Sequence, residues 1–151
     1  MELVSNPQYV GYWIIGRGID APKPKVLLKN DYSKMRLFID EKTESDNGIF
    51  DIRGRIKDSY GRSTLIGQMS SDFIMFIKEY EEGKCKPNAI MDPFFYSGTI
   101  WRRKYCGKEY RHYRGVWECY KKGNLILNGG FIIEKYYASL LLEFLMRMDK
   151  K

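Results

Sequence analysis

The chain carries FIKEY at residues 76–80, FFYSG at 94–98 and YRGVW at 113–117, and these three stretches decide the predicted fold. In each stretch, every second residue except Lys78 is either large and apolar or a glycine. Side chains two residues apart lie on the same face of a β-strand. The stretches therefore predict three strands of one antiparallel sheet, with an aromatic core on one face and glycines where the backbone bends or packs closely.

Strands of the same kind are predicted on both sides of these stretches. The clearest is 50–57, where apolar residues and glycine alternate with charged residues, so that Arg53 and Arg55 face water. A tight turn is predicted at 45–48, and longer connections at 18–32 and 81–92. The predicted strands are 9–16, 35–40, 50–57, 63–69, 73–80, 94–101, 111–120 and 130–135.

Eight short strands at even spacing favour an all-β fold, an eight-stranded antiparallel up-and-down barrel over residues 9–135. A β-sandwich is the alternative. Residues 137–148 change period, because apolar residues recur every three or four positions, and they predict a C-terminal amphipathic helix. Its apolar stripe needs a barrel wall or a second subunit to cover it, so a homo-oligomer is one expectation. With 151 residues we expect a single domain, 1–151.

These positions resemble those of the calycin superfamily, the eight-stranded ligand-binding barrels that include lipocalins, fatty-acid-binding proteins and avidins. Gly11 and Trp13 match the early Gly-x-Trp of that group. The later strands are similar to those of avidin-like chains at Phe76, Lys78, Tyr80, Tyr96, Gly98, Gly115, Trp117, Gly129 and Phe131. The resemblance covers about residues 9–135 and implies a barrel that holds a small ligand inside.

Composition indicates a globular protein, since 44% of the residues are hydrophobic and 15% are aromatic. No apolar run approaches 18 residues, so we expect a soluble chain without a membrane span. The first seven residues contain neither the basic nor the apolar part of a secretory signal, which favours the cytoplasm, although a mature secreted chain would look the same. The three cysteines are odd in number and lack Cys-x-x-Cys spacing, which favours reduced thiols over disulfides or zinc.

The first functional hypothesis is a non-catalytic barrel that binds a small amphipathic or anionic molecule. If Phe76 and Tyr80 face inward, the same period sends Lys78 inward, where an ammonium needs a carboxylate, a ligand anion or water. The opposite register would place Met75 and Ile77 in the core instead. The predicted ligand-binding residues are Trp13, Phe76, Lys78, Tyr80, Tyr96 and Trp117.

The second hypothesis is a basic interaction module that binds nucleic acid or an acidic protein partner through residues 102–122. This segment has eight basic and two acidic residues, interleaved with aromatic rings that can stack on bases. The ordinary alternative is a solvated outer face and tip of a hairpin. The predicted anion-binding or nucleic-acid-binding residues are Arg102, Arg103, Lys104, Lys108, Arg111 and Arg114.

An enzyme is the least favoured hypothesis, because no nucleophile–base pair or metal-ligand set can be assembled from the chain. We therefore expect no catalytic residues, no metal and no cofactor. His112 is the only histidine and, beside Arg111 in a basic hairpin, is expected at the surface rather than as a general base or haem ligand. Cys119 is expected to be a buried apolar residue rather than a reactive thiol.

Overall fold

The computed structural model describes residues 6–16 and 32–136, which contain eight strands. Each strand pairs antiparallel with the next along the chain, and β8 pairs with β1, so the sheet closes into a barrel. The predicted all-β up-and-down barrel is confirmed, and a β-sandwich is wrong because one closed ring holds all eight strands of the described residues. The strands are β1 Tyr9–Ile15, β2 Tyr32–Asp46, β3 Ile49–Asp58, β4 Gly61–Met69, β5 Phe73–Cys85, β6 Phe94–Tyr105, β7 Lys108–Lys121 and β8 Asn124–Lys135.

The barrel has two ends, which we name by the turns that lie there. The β3–β4 end carries the turn at 59–60, the connection at 86–93 and the turn at 122–123, and β1 also ends there. The β6–β7 end carries the turns at 47–48, 70–72 and 106–107. Because the strands alternate in direction, successive turns lie at opposite ends, and each inward-facing side chain can be placed at one of these ends or in the middle of the barrel.

The aromatic face predicted from the sequence fills the interior. Phe76, Lys78 and Tyr80 are 3%, 1% and 6% exposed, whereas Met75 and Ile77, which point to the other face of β5, are 45% and 38% exposed. The inward register of β5 is therefore confirmed, and the opposite register is wrong. The aromatic rings of the buried core belong to Tyr9, Trp13, Phe76, Tyr80, Phe94, Tyr96, Tyr113, Trp117 and Phe131.

Most strands are longer than predicted, and the added residues lie at the strand ends. β2 begins at Tyr32 rather than 35, β5 continues to Cys85, and β6 and β7 continue to the two-residue turn at Cys106 and Gly107. Likewise, β8 begins at Asn124 rather than 130. Hydrophobic alternation marks only the part of a strand that lines a core. In β2, β5 and β6, backbone pairing extends beyond it into 41–46, 81–85 and 102–105, which are mostly exposed, so nothing there selects apolar residues.

The outer face of β3 differs from the prediction at one residue. Arg53 is exposed, but the side chain of Arg55 is only 12% exposed. Its guanidinium donates to both carboxylate oxygens of Asp40 on β2, at 3.0 and 3.1 Å, and lies 4.8 Å from the ring centre of Phe38. A neighbouring strand can thus cover a residue that its own strand pattern assigns to solvent.

The predicted helix at 137–148 and nearly all of the predicted connection at 18–32 lie outside the described residues. Within 6–16 and 32–136, no helix has the length and apolar character needed to cross a membrane.

Candidate ligand-binding site

Five of the six predicted ligand-binding residues line one cavity at the β3–β4 end, which has a volume of about 150 Å³. These are Trp13, Lys78, Tyr80, Tyr96 and Trp117. Phe76 lies deeper in the barrel and stacks on Tyr96, with ring centres 4.6 Å apart and 11° between the planes. Alternation on β5, β6 and β7 brings these rings to one face, and closure of the ring adds Trp13 from β1.

Lys78 is held by a buried ion pair at this cavity. Its ammonium nitrogen is 2.6 Å from Oδ2 of Asp58, and the two side chains are 1% and 0% exposed. Lys78 also donates to the hydroxyl of Tyr80 at 2.9 Å, and that hydroxyl donates to the same Asp58 oxygen at 2.7 Å. Burial lowers the pKa of Lys78, and the Asp58 carboxylate opposes that shift. The positive charge predicted for the cavity is therefore compensated within the protein.

Sequence reasoning missed Asp58, because the predicted strand ends at residue 57. Ile52, Gly54 and Ile56 of β3 face inward, and the same period of two reaches position 58. Asp58 is the last residue of β3, so its carboxylate points into the barrel while its other oxygen accepts the backbone N–H of Tyr60 at 2.9 Å. The alternation of β3 thus predicts that residue 58 faces the interior, although the residue at that position is polar.

A larger cavity, of about 570 Å³, lies at the β6–β7 end and is named the mouth here. Its wall is largely apolar, and four exposed cations lie among its lining residues, contributed by β2, β7 and β8. Besides His112, the apolar and aromatic residues of the wall are Tyr9, Phe50, Met69, Ile100, Tyr110, Tyr113 and Ile133. The cations are Lys42, Lys108, Arg111 and Lys135.

Ion pairs compensate only part of the positive charge at the mouth. Glu109 is the one carboxylate among its described lining residues, and Arg111 and Arg102 both lie 3.2 Å from the same Glu109 oxygen. Lys108 and Lys135 form no ion pair within the part of the chain that the structure describes. The mouth therefore combines an apolar wall with a net positive rim.

His112 also lines the mouth, and the prediction that it is a surface residue is wrong, because only 9% of it is exposed. In the sheet it lies between Trp101 of β6 and Glu134 of β8. Glu134, the neighbour of His112 on β8, forms an ion pair with Arg103 of β6. Burial, with the nearby cations Arg103 and Arg114, lowers the pKa of His112 to about 4. The imidazole is therefore neutral at pH 7.

The six predicted anion-binding residues all lie on the β6–β7 hairpin but do not form one surface of unpaired charge. Arg102 and Arg111 share Glu109, and Arg103 pairs with Glu134. The guanidinium of Arg114 lies 4.8 Å from the ring centre of Trp101 on the outer wall. Lys104 extends along the hairpin, and Lys108 lines the mouth. Carboxylates and a ring thus engage four of the six cations.

The described residues contain no cluster of three or more His, Cys, Asp or Glu side chains that could hold a metal ion. Cys119 is fully buried beside Trp117, as predicted from its place in the alternation.

Comparison with known proteins identifies no relative: no family model, no curated protein and no solved structure matches this chain. The calycin resemblance thus extends to the topology of a closed eight-stranded meander.

Proposed function

We propose that this protein is a non-catalytic binding barrel that holds a small amphipathic anion in its mouth. The observation that supports this proposal is the combination, in one cavity of about 570 Å³, of an apolar wall and a rim with more cations than carboxylates. Small-molecule sites have volumes of about 300 to 1,000 Å³ and are mostly apolar, with a few polar groups that orient the ligand.

The wall and the rim suit the two parts of such a ligand. An apolar body would lie against Phe50, Met69 and Ile100, and its removal from water supplies the main driving force, about 25 cal/mol per Å². An anionic group would lie near Lys108 and Lys135, which have no carboxylate partner among the described residues. An exposed cation adds roughly 0.2 to 1 kcal/mol and favours a negative headgroup over a neutral one.

The mouth also brings together the two features on which the sequence-based hypotheses depend, a ligand cavity in the barrel and the basic segment 102–122. Lys108 and Arg111 belong to the basic segment, yet they line a cavity instead of a flat outer surface. Tyr113 donates its hydroxyl to the carbonyl of Ser70 at 2.6 Å and so links the wall of β7 to the turn between β4 and β5. Positive charge on the hairpin thus lies beside a largely apolar cavity wall, which suits the apolar body of an amphipathic ligand.

Decanoate and decanol test the proposal, because they share an apolar body and differ in charge. We expect decanoate to bind with 1:1 stoichiometry in isothermal titration calorimetry, more tightly than decanol and less tightly as salt rises. The imidazole NMR signals of His112, the only histidine, should shift on binding. The double variant Lys108→Gln, Lys135→Gln should weaken decanoate about tenfold, at roughly 0.7 kcal/mol per cation.

A matched control removes two exposed cations from the opposite end of the barrel, in the double variant Lys86→Gln, Lys121→Gln. It should bind decanoate like the unchanged chain. Equal affinity for decanoate and decanol, or equal loss in both double variants, would contradict the proposal. Binding of a short single-stranded oligonucleotide that Arg102→Gln and Lys104→Gln abolish, without any decanoate binding, would favour the basic interaction module instead.

A further inference from the structure

We infer that the cavity at the β3–β4 end is a second, separate ligand site, which takes a compact, uncharged aromatic molecule. This inference is independent of the amphipathic anion proposed for the mouth, since the two cavities share no lining residue. They lie at opposite ends of the barrel, and the buried rings of Phe76 and Phe131 line neither of them.

The size of this cavity limits the ligand to about one ring. Its volume is about 150 Å³. An apolar cavity of that volume in a protein core binds a single benzene molecule, whereas drug-sized ligands need at least twice the space. A fatty acid chain or a nucleotide is therefore too large, and a phenol or an indole marks the upper limit.

The rings around the cavity are arranged to receive another ring. Trp13 stacks on Tyr60, with centres 5.8 Å apart and 24° between the planes, and meets Trp117 edge-on at 5.8 Å and 79°. Phe94 meets Trp117 at 5.6 Å and 61°. The lining therefore offers both faces and edges, and aromatic pairs gain beyond their buried area from stacked and edge-on contacts.

Charge compensation excludes an anionic ligand here. The ammonium of Lys78 already has Asp58 at 2.6 Å and Tyr80 at 2.9 Å, and Asp58 also accepts from the indole of Trp13 at 3.2 Å. A carboxylate placed beside Lys78 would face the Asp58 carboxylate in a site with little water, and like charges in such a site repel strongly. A neutral ligand leaves the ion pair intact.

One polar group of the ligand can be satisfied at the rim. Asn88 lies in the connection between β5 and β6, is exposed, and lines the cavity. An amide offers both a donor and an acceptor, so a hydroxyl or an indole N–H on the ligand can pair with it. The site thus favours a ring with one uncharged hydrogen-bonding substituent.

Phenol and benzoate distinguish this inference from its alternatives, because they are similar in size and differ in charge. The readout is the indole N–H signals in a ¹H–¹⁵N NMR spectrum. Trp13 and Trp117 line the cavity, whereas Trp101 is 40% exposed on the outer wall and serves as an internal control. Phenol should shift the signals of Trp13 and Trp117 in a saturable way and leave Trp101 unchanged, and benzoate should bind at least tenfold more weakly.

Two neighbouring substitutions on β8 test the location. Leu127 lines the cavity, so Leu127→Trp should fill it and weaken phenol at least tenfold, whereas Ile126, 43% exposed, is the matched control as Ile126→Trp. If Leu127→Trp does not fold, Ile90→Trp in the 86–93 connection fills the same cavity. Absence of a saturable shift, equal affinity for benzoate, or equal loss in Leu127→Trp and Ile126→Trp would each overturn the inference.

Competition separates this site from the mouth. Phenol should not displace decanoate, and Lys108→Gln with Lys135→Gln should leave phenol affinity unchanged. Mutual displacement would overturn the separate site while leaving the mouth intact. Phenol binding without any decanoate binding would support the second site and contradict only the proposed function.

Discussion

At the scale of single residues, the molecule is distinguished by one charge pair inside an aromatic core. Lys78 and Asp58 lie 20 residues apart in sequence and 2.6 Å apart in space, with both side chains excluded from water. Rings of Tyr80, Trp13 and Phe94 lie 4.5, 5.3 and 5.3 Å from the ammonium. Hydrogen bonds and rings thus replace the water that both charges lose on burial.

Removal of the cation alone should destabilise the protein strongly. In Lys78→Met, Asp58 stays buried without its partner, and breaking a buried pair in this way costs roughly 3 to 5 kcal/mol. The measurement is the free energy of unfolding in urea at pH 7.

The control for Lys78→Met is the double variant Lys78→Met, Asp58→Asn. The amide keeps an acceptor for Trp13 and Tyr80 but carries no charge, so most of the stability should return. A single variant as stable as the unchanged chain, or a double variant no better than the single one, would show that the ion pair does not stabilise the fold.

At the scale of secondary-structure elements, closure of the barrel depends on how closely β8 approaches β1 and β7. Gly129 pairs with Ile15 on one side and Trp117 on the other. A Cβ on Gly129 would lie 1.8 Å from the carbonyl oxygen of Ile14 and 2.7 Å from the indole of Trp117. The indole N–H of Trp117 donates to that same carbonyl at 3.1 Å, so the glycine makes room for a bond that joins β7 to β1.

Gly129→Ala should therefore push β8 away from β1 and β7. The carbonyl oxygen of Ile14 is fixed by the backbone of β1, and the indole of Trp117 is fixed by its packing, so neither can move away from the added methyl group. We therefore expect the free energy of unfolding to fall by an amount at the upper end of roughly 1 to 3 kcal/mol, or more. The measurement is the urea midpoint, together with faster amide hydrogen exchange in β1. Leu125→Ala, on the same strand with its side chain 50% exposed, is the control and should change stability by about 0.5 kcal/mol or less. Similar losses in both variants would contradict the close approach.

At the scale of the whole molecule, residues 9–135 complete the ring, since β1 and β8 bond to each other. A chain that ends at Tyr136 should keep its β-type circular dichroism spectrum. It should also bind more of a hydrophobic dye or self-associate, because the sequence predicts that an amphipathic helix at 137–148 covers apolar surface. The measurements are dye fluorescence and the mass in solution by light scattering.

The full-length variant Leu141→Gln, Leu145→Gln is the control for the truncation, because it keeps the chain length and removes part of the apolar stripe. It should behave like the truncated chain. A truncated protein that is monomeric, equally stable and no better at binding the dye would show that residues 137–148 do not pack as the sequence predicts.

The sequence by itself determined the up-and-down order of the eight described strands and, for β3, β5, β6 and β7, the alternation that gives each strand an inner face. It did so because burying one side of a strand requires an apolar residue at every second position, and that requirement can be recognised within five residues. Alternation put Lys78 on the same face as Phe76 and Tyr80, but it left open whether that face or the face of Met75 and Ile77 lines the barrel. Strand ends escaped this reasoning, since paired backbone in water imposes no pattern on side chains.

Only the tertiary structure decided which side chains meet. Asp58 reaches Lys78 because β3 and β5 both adjoin β4, and no pattern within either strand encodes that distance. Lys42, Lys108 and Lys135 surround one mouth because β2, β7 and β8 place those residues at the same end of the ring. Registers between strands far apart in the chain determine such contacts. The physical reason is that ring closure is a property of all eight strands together, whereas alternation is a property of each strand alone.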